Sequence, residues 1–188
     1  MQKFIATKFI AIALMGIVTG LSIGAEETPG LPKPTKEHEW LKQFEGKWET
    51  ISKVTPGPGM DPVECEGKIE SKMLGGFWVV SDFQSDMAGE PMHAIQTIGY
   101  DAEKKHYIGT WVDSMTNHLW KYEGSVDKTG KILTLQADGP SFTKPGEKSP
   151  YRDIYEFVNK DEVKFSSQIQ GEDGKWITFT TGITKRVK

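Results

Sequence analysis

From residue 47 to the end of the chain, apolar and polar residues alternate with a period of two, and clusters of turn-forming residues interrupt the alternation at short intervals. The runs lie at about 47–55, 63–72, 77–87, 91–100, 106–113, 117–126, 131–138, 151–158, 162–170 and 175–187. The stretches between them include "PGPGMDP" (56–62), "GG" (75–76), "DKTG" (127–130) and "GEDG" (171–174). Gly, Asn and Asp tolerate positive φ and Pro presets a turn, so these are reversals of direction. Most are short enough to join neighbouring antiparallel strands as hairpins. No helical period follows residue 45. The chain is therefore expected to be all-β, a meander of about ten antiparallel strands. A sheet of that width tends to curl and close, because closure removes its exposed edges. An up-and-down barrel is the expected architecture, with a β-sandwich as the alternative.

The 188 residues suggest one folded domain. Residues 1–25 read as a secretory signal peptide: Lys3 and Lys8, an apolar run from Phe9 to Ile23, then Gly24 and Ala25. The run is shorter than the roughly 20 residues of a spanning helix. The expectation is a periplasmic or secreted protein with no stable membrane insertion after cleavage. Residues 26–34, "EETPGLPKP", form a linker, and residues 35–188 the barrel domain. Without the leader the chain carries 21 basic and 26 acidic side chains. That surface disfavours nucleic acid, whose phosphates require clustered Lys and Arg. Cys65 is the single cysteine, so no internal disulfide can form and the core must hold the fold.

Ahead of the first strand, Thr35 is placed to cap a short helix, with His38 as a surface or capping residue. Trp40, Leu41 and Phe44 share one face, and Gly46 stops the helix. Within the strands, charge decides the face. His118, Trp120 and Tyr122 alternate with Leu119, Lys121 and Glu123, so the aromatic set is expected to face in. Val163, Phe165, Ser167 and Ile169 are expected inside on the same reasoning, and Tyr107, Gly109, Trp111 and Asp113 are the favoured inner set of their strand, where Gly109 leaves room beside two rings. Glu64, Glu66 and Glu70 alternate with Lys68 and Lys72 on a solvated outer face. Strands 77–87 and 151–158 carry mixed groups on both faces, and their parity stays open. An interior of Trp, Tyr, His and Asp leaves two readings: a filled barrel whose polar tips satisfy one another, or a cavity.

The chemistry-bearing residues are few. There is no His-x-His, no His-Glu-x-x-His and no paired Cys, so no metal site is expected. Asp113 and His118 flank the loop "SMTN" and are the candidate catalytic pair, a carboxylate orienting an imidazole as a general base. The candidate cavity wall comprises Trp78, Tyr107, Trp111, His118, Trp120, Tyr122 and Phe165.

The short helix followed by Gly46-Lys47-Trp48 and a strand resembles the N-terminal signature of the calycins, the lipocalin and fatty-acid-binding-protein superfamily. The resemblance implies that Trp48 closes one barrel end and that Arg186, near the C-terminus, covers its ring. "HEWLKQFEGKWE", "MLGGFWV", "IGYDAEKKHYIGTWVDS" and "GSVDKTGKILTL" together look like the bacterial domain of unknown function 1579 (DUF1579) over residues 36–188. That resemblance implies a calycin-like barrel and no particular activity. The related nitrobindin-like barrels bind haem through a histidine late in the chain. Here all four histidines lie at or before residue 118, so no cofactor is predicted, and haem is an alternative only through an inward His118.

The expectation from sequence is thus an exported calycin-like barrel that binds a small hydrophobic or amphipathic molecule. The alternatives are a small-molecule enzyme using Asp113 and His118 for proton transfer, and a filled-barrel interaction protein without ligand.

Overall fold

The computed structural model describes residues 30–87 and 89–188; the expected leader and the first four residues of the linker lie outside them. A helix, α1 (Lys36–Trp40), runs into a 3-10 turn (Leu41–Phe44). Ten strands follow: β1 (Gly46–Val54), β2 (Val63–Leu74), β3 (Trp78–Met87), β4 (Glu90–Asp101), β5 (His106–Asp113), β6 (Trp120–Val126), β7 (Ile132–Pro140), β8 (Lys148–Asn159), β9 (Glu162–Gln170) and β10 (Trp176–Arg186). Each pairs antiparallel with its sequence neighbour, and β1 pairs with β10, so the sheet closes into an up-and-down barrel. The sandwich alternative is excluded.

The turns follow from their residues. Lys105 is the one described non-glycine residue with positive φ, at 59°. Asp127 anchors the β6–β7 turn by accepting from the Thr129 hydroxyl and from the Lys131 and Ile132 amides. These donors hold its carboxyl down at about 2.

The two barrel ends differ. At one end the N-terminal helix forms a floor. Leu41 is fully buried, and Phe44 meets Phe157 edge-on with centroids 4.9 Å apart. The Trp40 indole donates to the Gly130 carbonyl at 2.8 Å, tying the helix to the β6–β7 turn. Leu133, Leu135, Val79 and Ile98 are fully buried above it. Burial of such side chains contributes roughly 1.5–3 kcal/mol each. His38 is buried rather than on the surface: it lies edge-on to Phe77 and Tyr100, and its Nδ1 accepts the Thr35 amide at 3.0 Å.

The Gly-x-Trp step is set by the same corner. Gly46 has φ 121°, and a Cβ there would lie 2.6 Å from Arg186 Nη1. Trp48 is buried and donates to the Phe44 carbonyl at 2.8 Å. The Arg186 guanidinium lies 3.9 Å from the Trp48 ring centroid. Glycine therefore supplies both the backbone conformation and the space for the arginine that stacks on the tryptophan.

Candidate binding cavity

The opposite end carries the loops 55–62, 114–119, 141–147 and 171–175, and among the described residues no helix covers it. Between floor and mouth lies a cavity of about 530 Å³. A wider groove of about 1200 Å³ includes Glu49, Lys53, Glu66 and Lys164, which are exposed side chains of the outer face. Volume alone therefore does not select the site; enclosure does.

The cavity wall is mainly apolar. Phe44 and Trp48 meet it from the floor side, Phe83, Trp111 and Phe165 from the strands, and Phe142 and Phe179 near the mouth. Met87, Met92 and Met115 add flexible, polarisable side chains at the open end. The Phe83 and Trp111 rings pack edge-on at 4.8 Å. Trp120 stands in the wall because β7 places Gly139 beside it, where a Cβ would lie 2.1 Å from the indole.

Most interior polar groups satisfy one another. Ser71 and Ser81 share a hydrogen bond at 2.8 Å, Thr184 donates to Thr50 at 3.0 Å, and the Gln96 amide donates to the Tyr155 hydroxyl at 2.8 Å. Asp153 is the exception in kind: a carboxyl deep in the barrel that accepts from the Tyr122 hydroxyl at 2.7 Å and the Ser167 hydroxyl at 2.5 Å. Burial pushes its pKa up, while both hydroxyls pull it down. Burial likewise holds the Tyr122 and Tyr155 hydroxyls well above the ordinary phenol range, and pushes Tyr151 up to about 12.

The sequence-expected wall divides accordingly. Trp111, Trp120, Tyr122 and Phe165 line the cavity together. Trp78 does not: it is exposed on the outer face of β3, its ring lying over its cross-strand partner Gly99, while Val79 and Ser81 point in. Tyr107 has the inward parity but sits at the floor, packed on Trp40, with its hydroxyl donating to the Glu37 carbonyl at 3.2 Å. His118 precedes β6, so strand alternation does not govern it; it rests edge-on against Trp120 outside the cavity, with Nε2 3.2 Å from the Asp138 carbonyl.

The expected Asp113–His118 pair is not assembled. Asp113 instead accepts from the Trp111 indole at 2.8 Å and from the Met115 and Thr116 amides, fixing the β5–β6 loop. No histidine lines the cavity among the described residues, so a haem iron would find no imidazole in this wall.

Asp153, Ser167, Tyr155 and Gln96 are the interior groups that sequence reasoning left unassigned as site residues. The signal for Asp153 is in "YRDIYEFV": Tyr151, Asp153, Tyr155 and Phe157 form one period-two set, opposite Arg152, Ile154 and Glu156. An aspartate among three rings marks an inward acid.

Comparison with known proteins agrees with this architecture. The family model described as "Protein of unknown function (DUF1579)" matches residues 33–186. The chain belongs to that family. This DUF1579 barrel is similar in structure to Rv2717c from M. tuberculosis, with a TM-score of 0.62 at 14% identity, covering 83% of this chain and 100% of the other. It is also similar to the S-type phycobiliprotein lyase CPES from Guillardia theta, with a TM-score of 0.53 at 12% identity, covering 84% and 99%. At these identities the likeness is one of fold, the calycin-like barrel. No curated protein matches the sequence.

Proposed function

We propose that this protein is exported and binds a small hydrophobic or amphipathic molecule inside its barrel. The supporting observation is the asymmetric interior: a floor sealed by aromatic packing, an apolar cavity of about 530 Å³, and an opposite end that no helix covers among the described residues. Small-molecule sites typically occupy about 300–1,000 Å³ and combine apolar walls with a few placed polar groups. Packing of the filled-barrel kind would leave no such space. The proton-transfer alternative loses its pair, since Asp113 is engaged by the loop it anchors and His118 by the Asp138 carbonyl.

Native mass spectrometry of protein purified from its own host tests the binding reading. The expected result is a small-molecule adduct that is lost on denaturation. Protein at its bare mass that also fails to take up amphiphiles added in excess overturns it. The export reading rests on Lys3, Lys8 and the apolar run to Ile23. Fractionation with intact-mass measurement is expected to find a chain shortened near residue 25 outside the cytoplasm; a full-length cytoplasmic chain overturns it.

A further inference from the structure

The wall of the cavity is electrostatically one-sided. Among the described residues that line it, the acids are Asp113 and Asp153 and the only base is Lys68. Lys68 belongs to the exposed outer set of β2. Asp113 is committed to the indole and two loop amides at the mouth. Asp153 stands differently. Each of its oxygens accepts one hydroxyl, from Tyr122 and from Ser167, which leaves further acceptor directions on both. Its cross-strand partners are Leu135 and Ser167, which bring no charge to it. It lies deep within the barrel yet keeps intermediate exposure, and it is part of the cavity wall.

Resting on the binding function proposed above, we infer that the ligand carries a basic nitrogen at one end of an apolar body, and that its protonated amine docks on Asp153. An ammonium group supplies the donors that the open acceptor directions of the carboxylate lack, and the two charges compensate each other in the desolvated interior. A carboxylate head group meets the opposite situation: among the described residues no inward base receives it, and Asp153 repels it or must hold a proton. Burial already pushes the Asp153 pKa up. Where the empty protein holds that proton, binding of an ammonium releases it to solvent, so no other reactant is involved.

The test uses the chain without its leader and three probes with one tail: dodecylammonium, dodecanol and dodecanoate, each below its micelle concentration. Binding is followed by the fluorescence of Trp111 and Trp120 in the wall. Dodecylammonium is expected to bind at least tenfold more tightly than dodecanol, about the contribution of a hydrogen bond to a charged group, with dodecanoate weakest. Asp153→Asn is expected to abolish the ammonium preference, so that dodecylammonium gains no affinity over dodecanol. Should that variant not fold, the unmodified protein decides: affinity for dodecylammonium is expected to rise with pH as Asp153 loses its proton, while dodecanol affinity stays flat. The other groups facing Asp153 are Tyr122 from β6, Tyr151 and Tyr155 from β8 and Ser167 from β9, with Asp113 at the mouth. Dodecanoate binding as tight as dodecylammonium, or an ammonium preference that survives Asp153→Asn, overturns the head-group inference alone. Failure of all three probes to bind overturns the cavity function with it.

Discussion

Arg186 stacks on Trp48 and donates to the main-chain carbonyls of Lys160, Glu45 and Gln43, so one side chain ties the C-terminal strand to the chain on both sides of it. The planar guanidinium reaches these acceptors in fixed directions, whereas a lysine ammonium is a single point donor. Arg186→Lys is expected to cost about 1–3 kcal/mol, read as a lower urea midpoint at unchanged slope. An unchanged midpoint would show that water replaces the fork without loss. Asp153 gives a second residue-level expectation, in pH. Its folded pKa is raised above 3.8, the ordinary value of the unfolded chain. The folded state therefore holds the proton more tightly, and the stability linked to that proton is present at low pH and lost as pH rises from near 3.8 through the raised value. Asp153→Asn does not titrate. The stability of the native protein relative to this variant should fall across that window and level off above it; a difference that is flat with pH, or that grows in favour of the native protein, would contradict the assignment. How much of this was readable in the sequence varies by residue. Trp48 is legible through the family resemblance of its helix–Gly-x-Trp–strand step, and Arg186 through the same resemblance and its place in the last strand. Trp78 was misplaced because alternation in β3 is blurred by apolar residues on both faces. Only the register, which sets Trp78 opposite Gly99, explains why an outward indole is partly covered.

Strand by strand, the sequence carried the parity wherever one face held charges. β6 and β9 follow Lys, Glu and Gln outward and rings inward, as their burial patterns do, whereas β5 has no such charged face and its inner set is marked by Tyr107, Gly109 and Trp111. The parity of β8 is not legible in the sequence because its inner face contains Asp153 and its outer face Ile154, so the usual contrast is inverted there. Period two also fixes the side of a residue and not its height along the barrel, which is why Tyr107 belongs to the floor and Trp111 to the cavity although both lie on one face of β5. Height comes from pairing, as at β7, where inward Gly139 leaves the space that the Trp120 ring occupies. Gly139→Ala forces that indole to move. It is expected to lower stability by about 1–3 kcal/mol through overpacking, and to weaken amphiphile binding as the ring shifts into the cavity. Chemical denaturation and the fluorescence titration measure the two effects separately. Unaltered stability and binding together would mean that the ring does not fill the space left by Gly139.

For the whole molecule, closure changes what an end of the chain is. In an open sheet the first and last strands are edges, with half their backbone groups facing water. Here β1 pairs with both β2 and β10, from Trp48↔Arg186 to Val54↔Thr180 on one side and from Gly46↔Ser71 to Val54↔Val63 on the other. Stability should accordingly vary along the barrel axis and not across the sheet. The floor has fully buried Leu41, Leu133 and Ile98, together with the Trp40 tie to the β6–β7 turn. The mouth has the long loops, an exposed Phe142 and Met115, and a strand β6 that begins only at Trp120. Local opening is least costly where few apolar contacts are lost. Native-state amide exchange is therefore expected to show slow amides near the floor in all ten strands, β1 and β10 included, and faster exchange in every strand toward the mouth. Protection that decays instead from the central strands toward β1 and β10, at equal height, would mean that the β1–β10 ladder opens readily in solution. The enclosure on which the proposed binding function depends would then be lost.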